Sequence, residues 1–355
     1  IIFSFTYFLF GLWGIFEINK NYENLFKTKK SLLFHKKYSS KLHHLRDSNR
    51  WGEEENDYLF SIISEDKSYQ QTLLIQGDSW IEQISESPPS KSMLKKFSDS
   101  KRFNTINAGI TSFAPSLMHV QYKILKKDFN ILPNNLIIYI DQTDIGDEKC
   151  RYFKKKIYSN SGELKYVENE KYSKATYDYT KVYEYSELYL ENNNFNTVVK
   201  FPFIKLRQFF LRNKIVLSSI ISKGWEKRRS YKCSFYEIQK ELLSFNKESK
   251  RVFQKSLKEY LIFLKKEKKL EKILIVTFPH KFHHDKTYSV NVSNYIDEVI
   301  KEVSDKRINH LNFSKNIFSP NMINSIYKLN DPGSHLKNEY HENFFLKQIL
   351  LEKNK

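Results

Sequence analysis

A serine hydroxyl becomes a nucleophile when a base stands close enough to take its proton. The stretch from Gln71 to Trp80 (QTLLIQGDSW) offers one serine in such a setting. Leu73-Leu74-Ile75 is an apolar run of strand length, of the kind covered on both faces of a sheet. Gly77 then permits a sharp exit that a Cβ would resist, which places Ser79 at the carboxyl end of a strand. Open α/β sheets form their ligand crevices at such ends. Gly-Asp-Ser by itself is also an ordinary turn sequence, so its partners decide what it means.

Those partners lie far along the chain. Asp331-Pro-Gly-Ser-His335 precedes a last helical run. His335 is the candidate base for Ser79, and Asp331 the acid that holds the imidazole tautomer and stabilises its charged form. Acyl chemistry also needs donors where the oxyanion develops. Asn107-Ala-Gly109 follows one strand candidate, and the Gly109 N–H can approach a ligand closely because no side chain intervenes. Asp141-Gln142-Thr143-Asp144 follows another, and adds the Thr143 hydroxyl and the Gln142 amide. Taken singly, each segment reads equally well as strand-to-helix turn chemistry.

Phe278-Pro-His280-Lys-Phe-His283-His284 follows a fourth strand candidate. Three imidazoles suggest a metal, but Asp285 is the single acidic neighbour at ligand spacing. His280 and His283, with Gln142 and Asp144, are therefore read as a polar substrate rim. Neither a metal nor another cofactor is expected.

The elements that must position these residues alternate. Strands are predicted at Thr72–Gln76, Arg102–Asn107, Leu136–Asp141, Lys272–Phe278 and Arg307–Leu311, with helical spacing between them. Trp80 to Phe97 reads as helix interrupted at Ser87-Pro88-Pro89, and Pro115 to Phe129 as one helix opening on proline. This alternation argues for an α/β fold with a parallel sheet and helices on both faces. The rhythm breaks over about 150–270. Arg151 to Val167 reads there as a hairpin turning at Asn160-Ser161-Gly162, followed by helical patterns at Phe203–Ile221 and Ser234–Lys268. This stretch is predicted to be a large α-rich insertion in one domain spanning 61–355, with a separate second domain as the alternative.

Composition bounds the function classes. The 355 residues are 40% hydrophobic and 15% aromatic, enough for a substantial core. Lys+Arg 59 against Asp+Glu 41 leaves +18, which favours anionic partners. The basic residues are dispersed, with no zinc-finger spacing or basic heptad pattern, so nucleic acid is not expected. Ile1 to Phe16 is uncharged and rich in aromatic and branched residues. It reads as a single-pass membrane anchor over 1–19, followed by a basic stalk or first helix over 20–60; a buried core helix is the alternative. The lysines after it favour the cytoplasmic side of the membrane, and the function inferred below the extracytoplasmic side.

In order and position, Gly77-Asp78-Ser79, Gly109, Asp141–Asp144 and Asp331…His335 resemble the blocks of the SGNH/GDSL hydrolase family. The resemblance covers roughly 70–345, apart from most of the insertion. It implies a three-layer, flavodoxin-like fold and ester hydrolysis or acyl transfer through a serine acyl-enzyme. Carried over, Ser79 is the nucleophile and one oxyanion donor, Gly109 the second donor, His335 the base and Asp331 the acid. Two departures stand out. The family's Gly-x-Asn-Asp block here has Asp141 and Thr143 in the Gly and Asn positions, leaving the Thr143 hydroxyl or the Gln142 amide as the replacement donor. The last block has three residues between Asp331 and His335 where two are usual. The expected substrate is an acyl ester, most plausibly an O-acetyl group on a cell-surface glycan. An O-acyltransferase, or a catalytically degraded glycan-binding or membrane-surface protein, are the alternatives.

Overall fold

The computed structural model describes residues 2–21, 25–46, 55–168, 174–225, 247–278, 292–313, 326–328, 335–337 and 340. Its principal helices, in chain order, are α1 (Ile2–Lys20), α2 (Lys29–Ser39), α3 (Ser79–Glu86), α4 (Pro88–Lys101), α5 (Pro115–Asp128), α6 (Thr143–Asp147), α7 (Lys174–Glu191), α8 (Asn194–Trp225), α9 (Lys247–Lys265) and α10 (Val292–Val303). The chain divides into two compact units, Ile1–Tyr58 with Glu168–Tyr231, and Leu59–Val167 with Lys232–Lys355. The middle of the expected insertion thus joins the N-terminal segment, and its two ends belong with the sheet.

The sheet unit contains strands β1 (Ser61–Ser64), β2 (Gln71–Gln76), β3 (Phe103–Asn107), β4 (Asn135–Tyr139), β5 (Lys156–Tyr158), β6 (Leu164–Val167), β7 (Lys272–Thr277) and β8 (Ile308–Asn312). Strands β5 and β6 form the expected hairpin, with Gly162 in its turn at φ +77. The remaining six form one sheet in the order β1-β3-β2-β4-β7-β8. All neighbours are parallel except β1, an antiparallel edge strand on β3 that the sequence did not disclose. The chain first extends the sheet from β2 to β3, then crosses to the other side of β2 for β4. That reversal makes the carboxyl ends of β2 and β4 the topological switch point.

Side-chain alternation explains why the central strands read as unbroken apolar runs. Leu73, Ile75, Ile137, Tyr139, Leu274 and Val276 join a core with Trp80, Ile81 and Ile84 of α3. Leu74, Leu136, Ile138, Ile273 and Ile275 alternate with them and are buried as well. Each such side chain contributes about 1.5–3 kcal/mol of transfer free energy. Buried Gln76 breaks the apolar pattern of β2, and its polar atoms are satisfied: Nε2 donates to Met118 O at 3.0 Å and Gln121 Oε1 at 2.7 Å, while Oε1 accepts from the Tyr260 hydroxyl. This ties the exit of β2 to α5 and α9. Pro88 ends α3 and opens α4, as the proline pair demands.

In the other unit α1 packs along α8. Tyr7 OH donates to Val199 O, Trp13 meets Phe201 edge-on, and Lys205 pairs with Glu17 at 2.6 Å. The expected N-terminal membrane span is corrected here. Residues 2–20 do form a helix, but among the described residues no helix is long and apolar enough to cross a membrane. Glu17 and Lys20 lie in the last turn of this helix, and Ile18 sits in a protein core.

Candidate active site

Strand β2 ends at Gln76 and the chain turns at once into α3, whose first residue is Ser79. The turn is tight: a Cβ on Gly77 would lie 2.5 Å from Ile81 Cγ1 and 2.9 Å from Tyr139 Cβ. Asp78 caps the helix by accepting from Trp80 N–H at 2.9 Å. As the first residue of the helix, Ser79 has a backbone N–H with no intrahelical acceptor. Its side chain is half-buried, and its Oγ lies 2.6 Å from His335 Nε2.

Backbone hydrogen bonds hold His335. Tyr327 and Leu336 form an antiparallel bridge, with Lys328 N–H donating to His335 O and Lys337 N–H to Ile326 O, both at 2.9 Å. Trp80 stacks on Tyr139 and leans on Phe278, and its ring is 6.4 Å from that of His335. Ser79 and His335 thus meet beside a buried aromatic wall at the switch point. Asp331 lies outside the described residues, as do His280 and His283.

The loop after β3 sits where expected, with a different use of its glycine. Gly109 N–H donates to Asn107 Oδ1 at 2.9 Å, and Asn107 Nδ2 donates to Ile81 O and Ser85 Oγ on α3. A Cβ at 109 would come 2.5 Å from Glu82 N and 2.7 Å from the Ile81 carbonyl carbon. Glycine is therefore required for backbone-to-backbone contact with α3. Thr111, two residues on, donates from N–H and hydroxyl to the buried Glu82 carboxylate at 2.6 and 2.5 Å.

The segment after β4 is buried and acidic. Asp141 Oδ1 accepts from both Thr143 N–H and the Thr143 hydroxyl, each at 2.6 Å, so the expected replacement donor is spent on Asp141. Gln142 is buried with its Oε1 accepting from Val292 N–H at the start of α10. Asp144 is fully buried, with Oδ2 accepting from Asp141 N–H at 3.3 Å and Oδ1 unbonded. Gln142 and Asp144, expected at a substrate rim, thus serve the packing behind the site. One oxygen from each of Asp78, Asp141 and Asp144 lies within 4.8 Å of the others.

So many carboxyls in one dry place cannot all ionise. Burial pushes Asp78 and Asp144 well up, and the charge of Asp141 adds to it in both. Burial also raises Asp141, opposed by the Thr143 hydrogen bonds and by His335. The imidazole of His335 is thus among the charges that act on buried Asp141.

Comparison with protein-family models, curated proteins and solved structures finds no match for this chain.

Proposed function

We propose that the sheet unit is a serine-dependent acyl hydrolase of the SGNH type, built on a three-layer, flavodoxin-like fold. The observation that carries this reading is the 2.6 Å contact between Ser79 Oγ and His335 Nε2 at the switch point. Ser79 Oγ attacks the ester carbonyl carbon while His335 takes the hydroxyl proton. The departing alcohol oxygen receives that proton as the tetrahedral intermediate collapses to an acyl-enzyme. Water, activated by the same imidazole, then releases the acid. Asp331 is the acid that the resemblance assigns to the imidazolium formed in each half-reaction, and the buried Asp141 carboxyl also acts on that imidazole. The Ser79 N–H, at the positive end of α3, serves the oxyanion. The Gly109 N–H joins it on turning from Asn107 Oδ1. The substrate is an ester of a small acyl group, acetyl for preference, on a carbohydrate or another alcohol.

Hydrolysis of 4-nitrophenyl acetate and of an O-acetylated sugar by the full chain tests this. Ser79→Ala and His335→Ala are each expected to lower kcat/KM by about 10³-fold or more, and the double variant by little further, because the pair acts as a unit. Full activity in Ser79→Ala would overturn the reading.

The engagement of the Gly109 N–H and the Thr143 hydroxyl favours one second reading, a carbohydrate-binding member of the same fold with little turnover. Sugar-ester binding by calorimetry without ester cleavage would select it.

A further inference from the structure

The largest unexplained surface belongs to α1 and α8. On α1, Phe5, Leu9, Leu12 and Phe16 recur at helical spacing and are exposed, Phe5 at 62% and Phe16 at 65%. On α8, Phe195, Val199, Phe203, Leu206 and Phe210 do the same, Phe195 at 75% and Phe203 at 63%. Of these, Phe203 also meets the Tyr7 ring of α1 edge-on, with centroids 5.7 Å apart, while staying 63% exposed. The α8 face toward its own unit carries Thr197, Phe201 and Gln208, which are buried, and Lys205, which pairs with Glu17. Soluble proteins rarely leave a contiguous aromatic face open, and such a face marks a binding surface.

Charge says what covers it. Over Asn194–Trp225 the charged residues are Lys200, Lys205, Arg207, Arg212, Lys214 and Lys223, with no acidic one; Lys200, Lys205 and Arg207 pair with Glu191, Glu17 and Glu184, so the helix's surplus charge rests on Arg212, Lys214 and Lys223. From the end of α1 to the start of α2 the chain carries Lys20, Lys27, Lys29 and Lys30 against a single acidic residue, Glu23. A long helix with an aromatic face and charge of one positive sign fits the headgroup boundary of an anionic bilayer. A second copy of this chain fits poorly, since a two-fold contact would set basic α8 against basic α8.

We propose that the outward faces of α1 and α8 form a lipid-docking surface, seated in the interfacial layer of an anionic membrane rather than across it. This docking is independent of the serine chemistry.

Flotation of the purified full chain with vesicles tests it. Binding to vesicles of phosphatidylcholine and phosphatidylglycerol is expected to exceed binding to phosphatidylcholine alone by about tenfold or more. It should fall sharply in about 1 M salt, where screening reaches about 3 Å. Phe195→Ser with Phe210→Ser should lose most binding while ester hydrolysis and far-UV circular dichroism stay unchanged. If that variant does not fold, the unsubstituted chain still decides, because exposed Trp13 should be quenched by brominated lipid, a signal that Trp13→Phe removes. The absence of both vesicle binding and quenching would overturn the proposal. So would binding that the Phe substitutions leave intact, or a stable dimer that they dissolve.

Discussion

Asp141 and Gly109 are the residues at which this site departs from a simple serine–histidine pair, and each gives a measurable consequence. Asp141 couples electrostatically to His335 from a buried position. Asp141→Asn weakens the acceptor that holds both the Thr143 N–H and the Thr143 hydroxyl. The expected outcome is a kcat lower by about 10- to 100-fold with KM little changed. An unchanged kcat would show that Asp141 only packs. Gly109→Ala forces a Cβ against the backbone of α3. The expected loss is about 1–3 kcal/mol of stability in urea denaturation, with activity falling as α3 shifts. The serine and the imidazole were legible in the sequence because Gly-Asp-Ser and Asp-x-x-x-His fall in the right order after strand-like runs. The roles of Thr143, Gln142 and Asp144 were not. Turn residues of those types serve a ligand or the backbone equally well, and which they do depends on packing from α10 and on Asp141.

At the scale of elements, β2 carries the site, and Gln76 anchors its last residue. Replacing Gln76 by Leu would leave the Tyr260 hydroxyl and the Gln121 amide oxygen without their partners in the core. Each orphaned buried group costs about 1–3 kcal/mol. Urea denaturation of Gln76→Leu is therefore expected to show a loss of roughly 2–5 kcal/mol, with a lower midpoint and an unchanged slope. The five parallel strands and the proline break between α3 and α4 were readable, because buried runs and proline act locally. Strand β1 was not: Ser61-Ile-Ile-Ser64 is four residues long and takes its pairing from β3 rather than from its own pattern. The packing of α8 on α1 also escaped the sequence, since helix partnership across nearly two hundred residues leaves no periodic trace.

At the scale of the molecule, a sheet unit with a buried acidic pocket is joined in one chain to a helical unit with a basic, aromatic exterior. The pocket makes folding pH-dependent. Burial raises the Asp147 carboxyl to about 7, with Arg151 opposing. Below its unfolded value of 3.8 both states hold the proton. As pH rises from there, the unfolded chain releases it first, so stability falls until the folded carboxyl has also ionised, near pH 7. Thermal unfolding is expected at lower temperature at pH 8 than at pH 5. Asp147→Asn should flatten that decline, by at most about 4 kcal/mol at pH 8. A wild-type profile that rises over this range would contradict the burial of these acids.

The most direct measurement is a fluorophosphonate adduct mapped by mass spectrometry on the full chain. One equivalent is expected on Ser79, formed at least about 10³-fold more slowly in His335→Ala, which lacks the base. A chain left unmodified, an adduct on some other serine, or equal labelling without His335 would contradict a nucleophile activated by that imidazole.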